Sequence, residues 1–300
     1  MVGSQLRLSA SRRSYRSEVI AVLIAIAVAV TAVPLLGLAI NYIWSDSKVE
    51  SSPRPSSLTS PQGVEVVTQV EVRDNVVFLP LPRVRKEVLS VEEALAYRRS
   101  IRSYRDEPIT IEHLSQLLWA AYGINEPRRG FKTTPSAGAT YPLVIYAVIG
   151  SNGVSLGNGS FLKPGSYRYD PYSHSIQLVK EGDLRENLAR AALNQEWVRD
   201  APVNIVICAV FERTTGVYGE RGYRYVHIEV GHVGQNIYLE ATALGLGTVA
   251  VGAFYDDAVQ RVIGAKVNEH PLYIMPVGVP LEPYRVSEQE IWRFIEAHRG

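Results

Sequence analysis

Residues 203–211 read VNIVICAVF, and Asn204 is the one polar residue among them. A strand with one solvated face alternates apolar and polar residues, whereas this segment is apolar on both faces. It therefore predicts a central strand covered by other elements on both sides. Cys208 lies inside this segment, and its position is more typical of a core thiol than of a nucleophile.

Helical and strand patterns alternate around this segment. The clearest helix covers 225–244, where apolar residues recur at three- and four-residue steps. Gly231 and Gly234 lie on it and lower its helix propensity, which suggests that another helix packs closely there. The sequence thus predicts one α+β domain with helices on both faces of a sheet. Further helices are predicted after Ser90, Thr110, Asp183 (to about 195), Asp256 and Ser287, and further strands at 143–149, 167–169, 176–178, 248–254 and 272–279.

The beginning of the chain is organised differently. Residues 19–45 contain no charged side chain, and about 20 apolar residues in a helix suffice to span a bilayer. Four arginines precede this run, so the positive-inside rule places the N-terminus in the cytoplasm and the following domain outside. We predict a basic cytoplasmic segment at 1–18, a transmembrane helix at 19–44, a Ser/Pro-rich linker at 45–63 and the folded domain at 64–300.

The arginines before the apolar run have a second interpretation. Ser11-Arg12-Arg13-Ser14 resembles a twin-arginine export signal, with Tyr15 where that signal usually has Phe. The arginines either form an export signal or only set the membrane topology, and both interpretations remain open. The apolar run is longer than the core of most signal peptides, which favours a retained anchor over a cleaved one.

Composition excludes several kinds of protein. The 31 basic and 30 acidic residues give a net charge of +1, which disfavours binding to nucleic acid. One cysteine excludes an internal disulfide and a Cys-x-x-Cys zinc site, and the six scattered histidines do not indicate a metal site. Residues 153–157 match G-x-S-x-G, but a Gly/Asn-rich loop follows instead of the helix that a nucleophile elbow requires.

Three short segments at the ends of predicted elements suit an anionic, planar cofactor. Arg98, Ser100 and Arg102 alternate in RRSIR (98–102), so in extended chain their side chains point the same way. Guanidinium groups bind phosphate in a bidentate manner, and a serine adds a donor. The small residues of PSAGA (135–139) and VGAF (251–254) allow a flat ring to approach the backbone closely. A solvated basic turn is the alternative for the arginine segment alone.

The same segments carry a family resemblance over residues 88–280. The chain resembles the nitroreductase-like flavoprotein superfamily, and within it the branch of SagB-type dehydrogenases or thiazole/oxazole oxidases. The matching stretches are RRSIRSY (98–104), LLWAAYG (117–123), PSAGATYP (135–142), QEWV (195–198), YRY (223–225), GH (231–232), QN (235–236), LGLG (244–247) and PVG (276–278).

The resemblance implies an FMN enzyme with a three-layer α+β fold around a central mixed sheet. Such enzymes are usually homodimers with the flavin at the subunit interface, and the helix with Gly231 and Gly234 would be the dimer helix. By motif match, Arg98, Ser100 and Arg102 would hold the phosphate, ribityl chain and ring edge, and Arg285 would be a late phosphate ligand. Ser136, Ala137 and Gly138 would line the isoalloxazine, and the backbone N–H groups near Gly252 and Ala253 would face N5. Further cofactor-binding residues would be Arg99, Pro135 and Gln195.

One departure from the branch concerns the catalytic residues. Azoline-oxidising members have a Lys-Tyr pair where this chain has Val217-Tyr218. Tyr218 remains a candidate acid or base, or a packing residue, whereas valine transfers no proton. We therefore predict a membrane-anchored FMN oxidoreductase that transfers hydride through flavin N5 to or from a small-molecule or peptide substrate. A peptide azoline dehydrogenase and a non-catalytic flavin-binding scaffold remain alternatives.

Overall fold

The computed structural model describes residues 70–85, 88–157 and 159–299. The predicted cytoplasmic segment (1–18), transmembrane helix (19–44) and linker (45–63) lie outside these ranges. Within them, no helix is both long and apolar enough to cross a membrane.

Helices and strands alternate through the described chain. The helices are α1 (Val91–Tyr97), α2 (Ile111–Tyr122), α3 (Arg185–Ala191), α4 (Glu196–Asp200), α5 (Glu212–Tyr218), α6 (Arg221–Ala243), α7 (Asp256–Ile263) and α8 (Glu288–Ala297). The strands are β1 (Glu71–Arg73), β2 (Val76–Phe78), β3 (Ile109–Thr110), β4 (Ile124–Glu126), β5 (Phe131–Lys132), β6 (Leu143–Ile149), β7 (Val154–Ser155), β8 (Gly165–Asp170), β9 (Ser175–Glu181), β10 (Val203–Ala209), β11 (Gly247–Thr248) and β12 (His270–Gly278).

An eight-stranded sheet forms the centre, in the order β1-β2-β9-β8-β6-β10-β12-β11. Its named strands pair antiparallel, and Ser100 adds a parallel bridge to Thr248 at the β11 edge. The sheet is therefore mixed, as the family resemblance implied. The bridge also brings the arginine segment to this edge of the sheet.

Two apolar layers cover the sheet. Ile205 and Ile207 of β10 pack in one core with residues of α2 and α6, whereas Val206 and Cys208 pack in the other with residues of α3, α4 and α7. Each fully buried valine or isoleucine contributes roughly 1.5–3 kcal/mol. The predicted central strand is thus confirmed. Burial raises the pKa of the Cys208 thiol, which agrees with a core role.

Two predicted elements differ from the structure, and the short helices α4 and α5 were not among those predicted. The helix predicted from Asp183 to about 195 ends at Ala191, because Leu193 and Asn194 both have a φ of 58° before α4 begins. Of the strand predicted at 248–254, only Thr248 belongs to β11, and Val251 forms an isolated bridge to Ile274. The chain then leaves the sheet. Helix α5 was not predicted, since its sequence (ERTTGVY) has no apolar period.

The packing of the two glycines on α6 also differs from the prediction. A β-carbon on Gly234 would meet the side chains of Tyr273 and Met275, so this glycine faces β12 and not another helix. Gly231 is exposed, and a β-carbon there would have no atom within 4 Å. The close approach of α6 to the sheet explains one glycine, and the other lies on an open surface.

Candidate functional site

The arginine segment begins where α1 ends. Arg98 caps that helix with extended backbone (φ −58°, ψ 125°), and the amide of Ile101 donates to the carbonyl of Thr248 over 2.9 Å. The guanidinium carbon of Arg98 lies 5.2 Å from the ring centre of Tyr238, and Ser100 Oγ lies 3.1 Å from the hydroxyl of the same tyrosine. The structure thus brings Arg98 and Ser100 together on one side chain of α6.

Arg102 and Gln195 meet the segment after β11. The Arg102 guanidinium lies 5.4 Å from the ring of Trp197, at the start of α4. Gln195 Nε2 donates to the carbonyl of Ala253 over 2.9 Å and therefore ties α4 to that exposed segment. The N–H groups of Gly252 and Ala253 donate no hydrogen bond within the described residues, so they remain free for a ligand.

Arg99 and Arg285 lie together at a neighbouring groove. Arg99 stacks on Tyr284, with 3.8 Å from its guanidinium carbon to the ring centre, and Arg285 lies 4.8 Å from the ring of Tyr97. Both arginines line this groove with Gly245. The predicted phosphate ligands thus form two groups, with Arg98, Ser100 and Arg102 in one and Arg99 and Arg285 in the other.

The arginines of these two groups have no ion-pair partner in the part of the chain that the structure describes. None of the four arginines has a carboxylate within 4.0 Å among the described residues. The hydroxyl of Thr248 and the indole N–H of Trp197 are buried and have no hydrogen-bond partner there. Unpaired cations beside orphaned polar groups are the arrangement that an anionic cofactor with several hydrogen-bonding atoms would satisfy.

The small-residue segment forms a strained turn. Gly138, Ala139 and Tyr141 have φ values of 58°, 52° and 45°, in the left-handed region that only glycine adopts at no cost. The amide of Tyr141 donates to Ser136 Oγ over 2.9 Å, and the Thr140 hydroxyl lies 2.8 Å from that of Thr214 in α5. Pro135 and Gly138 are exposed, whereas Ser136 and Ala137 are half-buried. Strain of this kind costs about 1–3 kcal/mol per residue and is common at ligand sites.

Tyr218, at the end of α5, lies against this turn. A β-carbon on residue 138 would come within 2.5 Å of the Tyr218 hydroxyl oxygen. The ring of Tyr225 holds Tyr218 from the side in a T-shaped contact with 5.1 Å between ring centres. Val217, at the position where azoline-oxidising proteins have a lysine, is 65% exposed and does not replace that lysine chemically.

Several residues around the site were missed at the level of sequence. Tyr238 joins two segments, because its hydroxyl contacts Ser100 and accepts from the amide of Ala250 over 2.8 Å. Thr214 fixes the strained turn, and Trp197 lies under Arg102. A tyrosine within an amphipathic helix is indistinguishable from a packing residue by pattern, so no sequence feature indicated Tyr238.

Comparison with known proteins identifies the family. The model of the Nitroreductase family matches residues 95–279, which is more than half of the chain. The chain belongs to the nitroreductase family. The match contains the arginine segment, the strained turn and residues 252–253, and it ends just before Arg285.

Individual relatives agree with the family. MJ1384 of Methanocaldococcus jannaschii, named as a nitroreductase, is 49% identical over 196 residues, covering 65% of this chain and 94% of the relative. The FMN reductase [NAD(P)H] of Bacillus subtilis is 24% identical over 200 residues, covering 63% of each chain. The microcin B17-processing protein McbC of Escherichia coli is 25% identical over 158 residues, covering 52% of this chain and 56% of McbC.

A solved structure has the same fold. The crystal structure of a nitroreductase-family protein from Ralstonia eutropha superimposes with a TM-score of 0.59 at 25% identity, covering 71% of this chain and 94% of that chain. The nitroreductase-like α+β fold is therefore confirmed. Family and relatives together make this protein an oxidoreductase, consistent with FMN dependence.

Proposed function

We propose that this protein is a membrane-anchored, FMN-dependent oxidoreductase that transfers two electrons as hydride. One observation carries the cofactor assignment: the Tyr238 hydroxyl links Ser100 to Ala250, two residues before Gly252. One connected site thus contains both kinds of donor. The arginine segment has donors suited to a phosphate, and the free N–H groups of Gly252 and Ala253 are suited to a ring. The residues present fit FMN, because the cations are unpaired and the adjoining backbone carries no side-chain bulk.

When bound, FMN supplies hydride transfer through its N5 atom. The protein's contribution is to hold and orient it. Arg98, Ser100 and Arg102 would bind the phosphate, ribityl chain and ring edge, with Arg99 and Arg285 as a second cationic pair. Pro135, Ser136, Ala137 and Gly138 would line the ring, and the N–H groups of Gly252 and Ala253 would donate to it. Gln195 fixes those N–H groups by holding the Ala253 carbonyl.

Tyr218 is the residue we assign to proton transfer. Its hydroxyl lies beside the strained turn and the residue is 37% exposed, so it can hold a proton near a substrate and exchange it with water. Its T-shaped contact with Tyr225 limits its movement. The substrate class that this arrangement accepts is a small molecule or a peptide.

The proposal of membrane anchoring and of an outside location rests on the N-terminal sequence. We propose that residues 19–44 span the membrane and that the catalytic domain is extracytoplasmic. Cytosolic NAD(P)H would not reach such a domain, so the reductant would be a quinol, an exported redox protein or the substrate itself. A topology reporter fused after Gly300 tests this: reporter activity in the cytoplasm would overturn the location and make NAD(P)H the expected donor.

A peptide azoline dehydrogenase is the second candidate function. It is supported by the similarity to McbC, whose name describes microcin B17 processing. The exposed Val217 weighs against it, because no lysine is present to move a proton or to stabilise charge. Turnover of an azoline peptide by the unaltered protein, or its appearance in Val217→Lys, would favour this function.

The absorption spectrum of the purified full-length chain tests the proposal. We expect a yellow protein that releases FMN on denaturation. The double variant Arg98→Ala/Arg102→Ala should fold but lose the flavin, whereas Arg190→Ala/Arg199→Ala, which removes two exposed arginines, should retain it. A folded, colourless protein that takes up no added FMN would overturn the cofactor assignment, and a yellow protein inert with every reductant would favour the non-catalytic scaffold.

A further inference from the structure

A second cavity lies between the start of β6, the β8–β9 turn and the N-terminus of α5. It has a volume of about 310 Å³. No residue of the predicted cofactor set lines it. The residues that line it are Tyr122, Lys132, Leu143, Val144, Ile145, Arg168, Tyr169, Asp170, Pro171, Tyr172 and Arg213.

Lys132 brings a cation into this cavity, and no described carboxylate forms an ion pair with it. It is 8% exposed, and within the described chain its ammonium group has neither a hydrogen bond nor a carboxylate within 4.0 Å. It lies 4.0 Å from the ring centre of Tyr122, 4.7 Å from that of Tyr141 and 5.6 Å from that of Tyr172. Ring faces compensate only part of the lost hydration of an ammonium group.

Two arginines add positive charge to the lining of the same cavity. Arg213 donates from one nitrogen to the carbonyl of Tyr141 over 3.1 Å and has no ion pair among the described residues. Arg168 pairs with Glu269 over 3.2 Å, but its Nε is buried without an acceptor. Three cationic side chains thus line one cavity, and their donors exceed the acceptors available to them.

The single acidic side chain of the lining does not balance them. One oxygen of Asp170 accepts from the amide of Tyr172 over 3.0 Å, and the other accepts from the Ser173 hydroxyl over 2.7 Å. That carboxylate therefore holds the β8–β9 turn. Burial, followed by the charge of Arg213, lowers the pKa of Lys132 to about 8, although the carboxylates of Glu229 and Asp170 act in the opposite direction.

The uncharged side chains that line the cavity indicate which other chemical groups a ligand would have. Leu143, Val144 and Ile145 supply an apolar floor, and tyrosine rings form the sides. A planar guanidinium group matches a carboxylate, and tyrosine rings stack on flat apolar groups. We propose that this cavity binds an aromatic carboxylate, with the carboxylate among Lys132, Arg168 and Arg213 and the ring among the tyrosines. This site is additional to the flavin site and does not depend on the proposed reaction.

Calorimetric titration of the purified full-length protein, as isolated with its cofactor, tests the site with benzoate as the probe. We expect one benzoate bound per chain at this cavity, with neutral benzamide at least tenfold weaker. Lys132→Met and Arg213→Met should each weaken benzoate at least tenfold. Lys163→Met and Arg190→Met, which change exposed cations elsewhere, should leave the affinity unchanged. Lys132 is buried whereas Arg213 is exposed, so a folding defect in Lys132→Met would not be shared by Arg213→Met.

Benzoate could instead bind at the cofactor, so the visible spectrum is recorded during the titration. Binding that leaves the spectrum unchanged and is lost in both cavity variants supports the proposal. No binding, equal binding of benzamide, or binding that shifts the spectrum and persists in Lys132→Met would overturn it. Tighter binding of inorganic phosphate than of benzoate would overturn the choice of an aromatic carboxylate.

Discussion

The hydroxyl of Tyr218 occupies the space that a side chain on residue 138 would need. The two residues are 80 positions apart, and a β-carbon on Gly138 would come within 2.5 Å of that oxygen. The close approach explains why a glycine is required there. It also couples the end of α5 to the turn predicted to line the flavin.

Substituting that glycine tests the coupling. Gly138→Ala should lower the free energy of unfolding by about 1–3 kcal/mol, because the φ of 58° strains any other residue and the new methyl group clashes with Tyr218. Urea denaturation measures the change. Adding Tyr218→Ala should recover part of the loss by removing the clash but not the strain. The unfolding free energy of the double variant is compared with the sum of the two single changes. If it is no higher than that sum predicts, the clash with Tyr218 does not cause the loss of stability in Gly138→Ala.

Tyr238 should matter for both stability and cofactor affinity. Tyr238→Phe removes the hydroxyl that accepts from Ala250 and contacts Ser100. We expect a loss of about 1 kcal/mol in unfolding free energy and a weakening of FMN affinity of up to about tenfold. Fluorescence titration of the apoprotein with FMN measures the affinity. Tyr255→Phe is the control, because that tyrosine is 64% exposed; equal effects in the two variants would contradict a linking role for Tyr238.

Sequence patterns predicted the layers of the fold but not the breaks within them. The apolar segment 203–211 and the helices predicted after Ser90, Thr110 and Ser287 correspond to the structure because local composition decides them. The break at Leu193 and Asn194 does not involve glycine or proline, so no local pattern indicated it. Helix α5 depends on tertiary contacts, including that between Thr214 and Thr140.

The site shows the same division. The motifs located the arginine segment and the small-residue turn, since their residue types are unusual at such positions. They did not indicate that Arg99 and Arg285 would form a group separate from Arg98, Ser100 and Arg102, or that Tyr238 would join Ser100 to Ala250, because these contacts connect residues more than a hundred positions apart or different elements. The cavity around Lys132 is likewise assembled from separate parts of the chain.

Removing the buried charge of Lys132 should stabilise the protein in a pH-dependent manner. Its pKa is about 8 in the folded state against 10.5 for the unperturbed group, so between these pH values the unfolded chain binds more protons. The unfolding free energy of the unaltered protein should therefore rise through this window, by at most about 3 kcal/mol from this group. Below pH 8 both states are protonated, and the full cost of the buried charge is present.

The pH dependence is measured against variants. The stability gain of Lys132→Met over the unaltered protein should be largest at pH 7 and should shrink as the pH approaches 10.5. Lys163→Met is the control, because it removes an exposed lysine that pairs with Glu181. Tyrosine ionisation at high pH affects this variant and Lys132→Met alike, so a comparison of the two removes that contribution. A gain for Lys132→Met that is the same at pH 7 and pH 10 would show that the lysine is not deprotonated in this window.

The open position of Gly231 supports a homodimer through α6. Gly231 is exposed, no atom lies within 4 Å of where its β-carbon would be, and Ile228, one turn before it, is 50% exposed. A small residue beside an exposed apolar one on a long helix allows a second copy of that helix to approach closely.

Gly231→Trp should leave the folded monomer intact, because the indole has space, but it should block the approach of the second helix. Light scattering of the purified protein should then report a dimer for the unaltered chain and a monomer for the variant. Gly216→Trp, at another glycine with open space around it, is the control. A dimer that persists in Gly231→Trp would exclude this face of α6 as the interface.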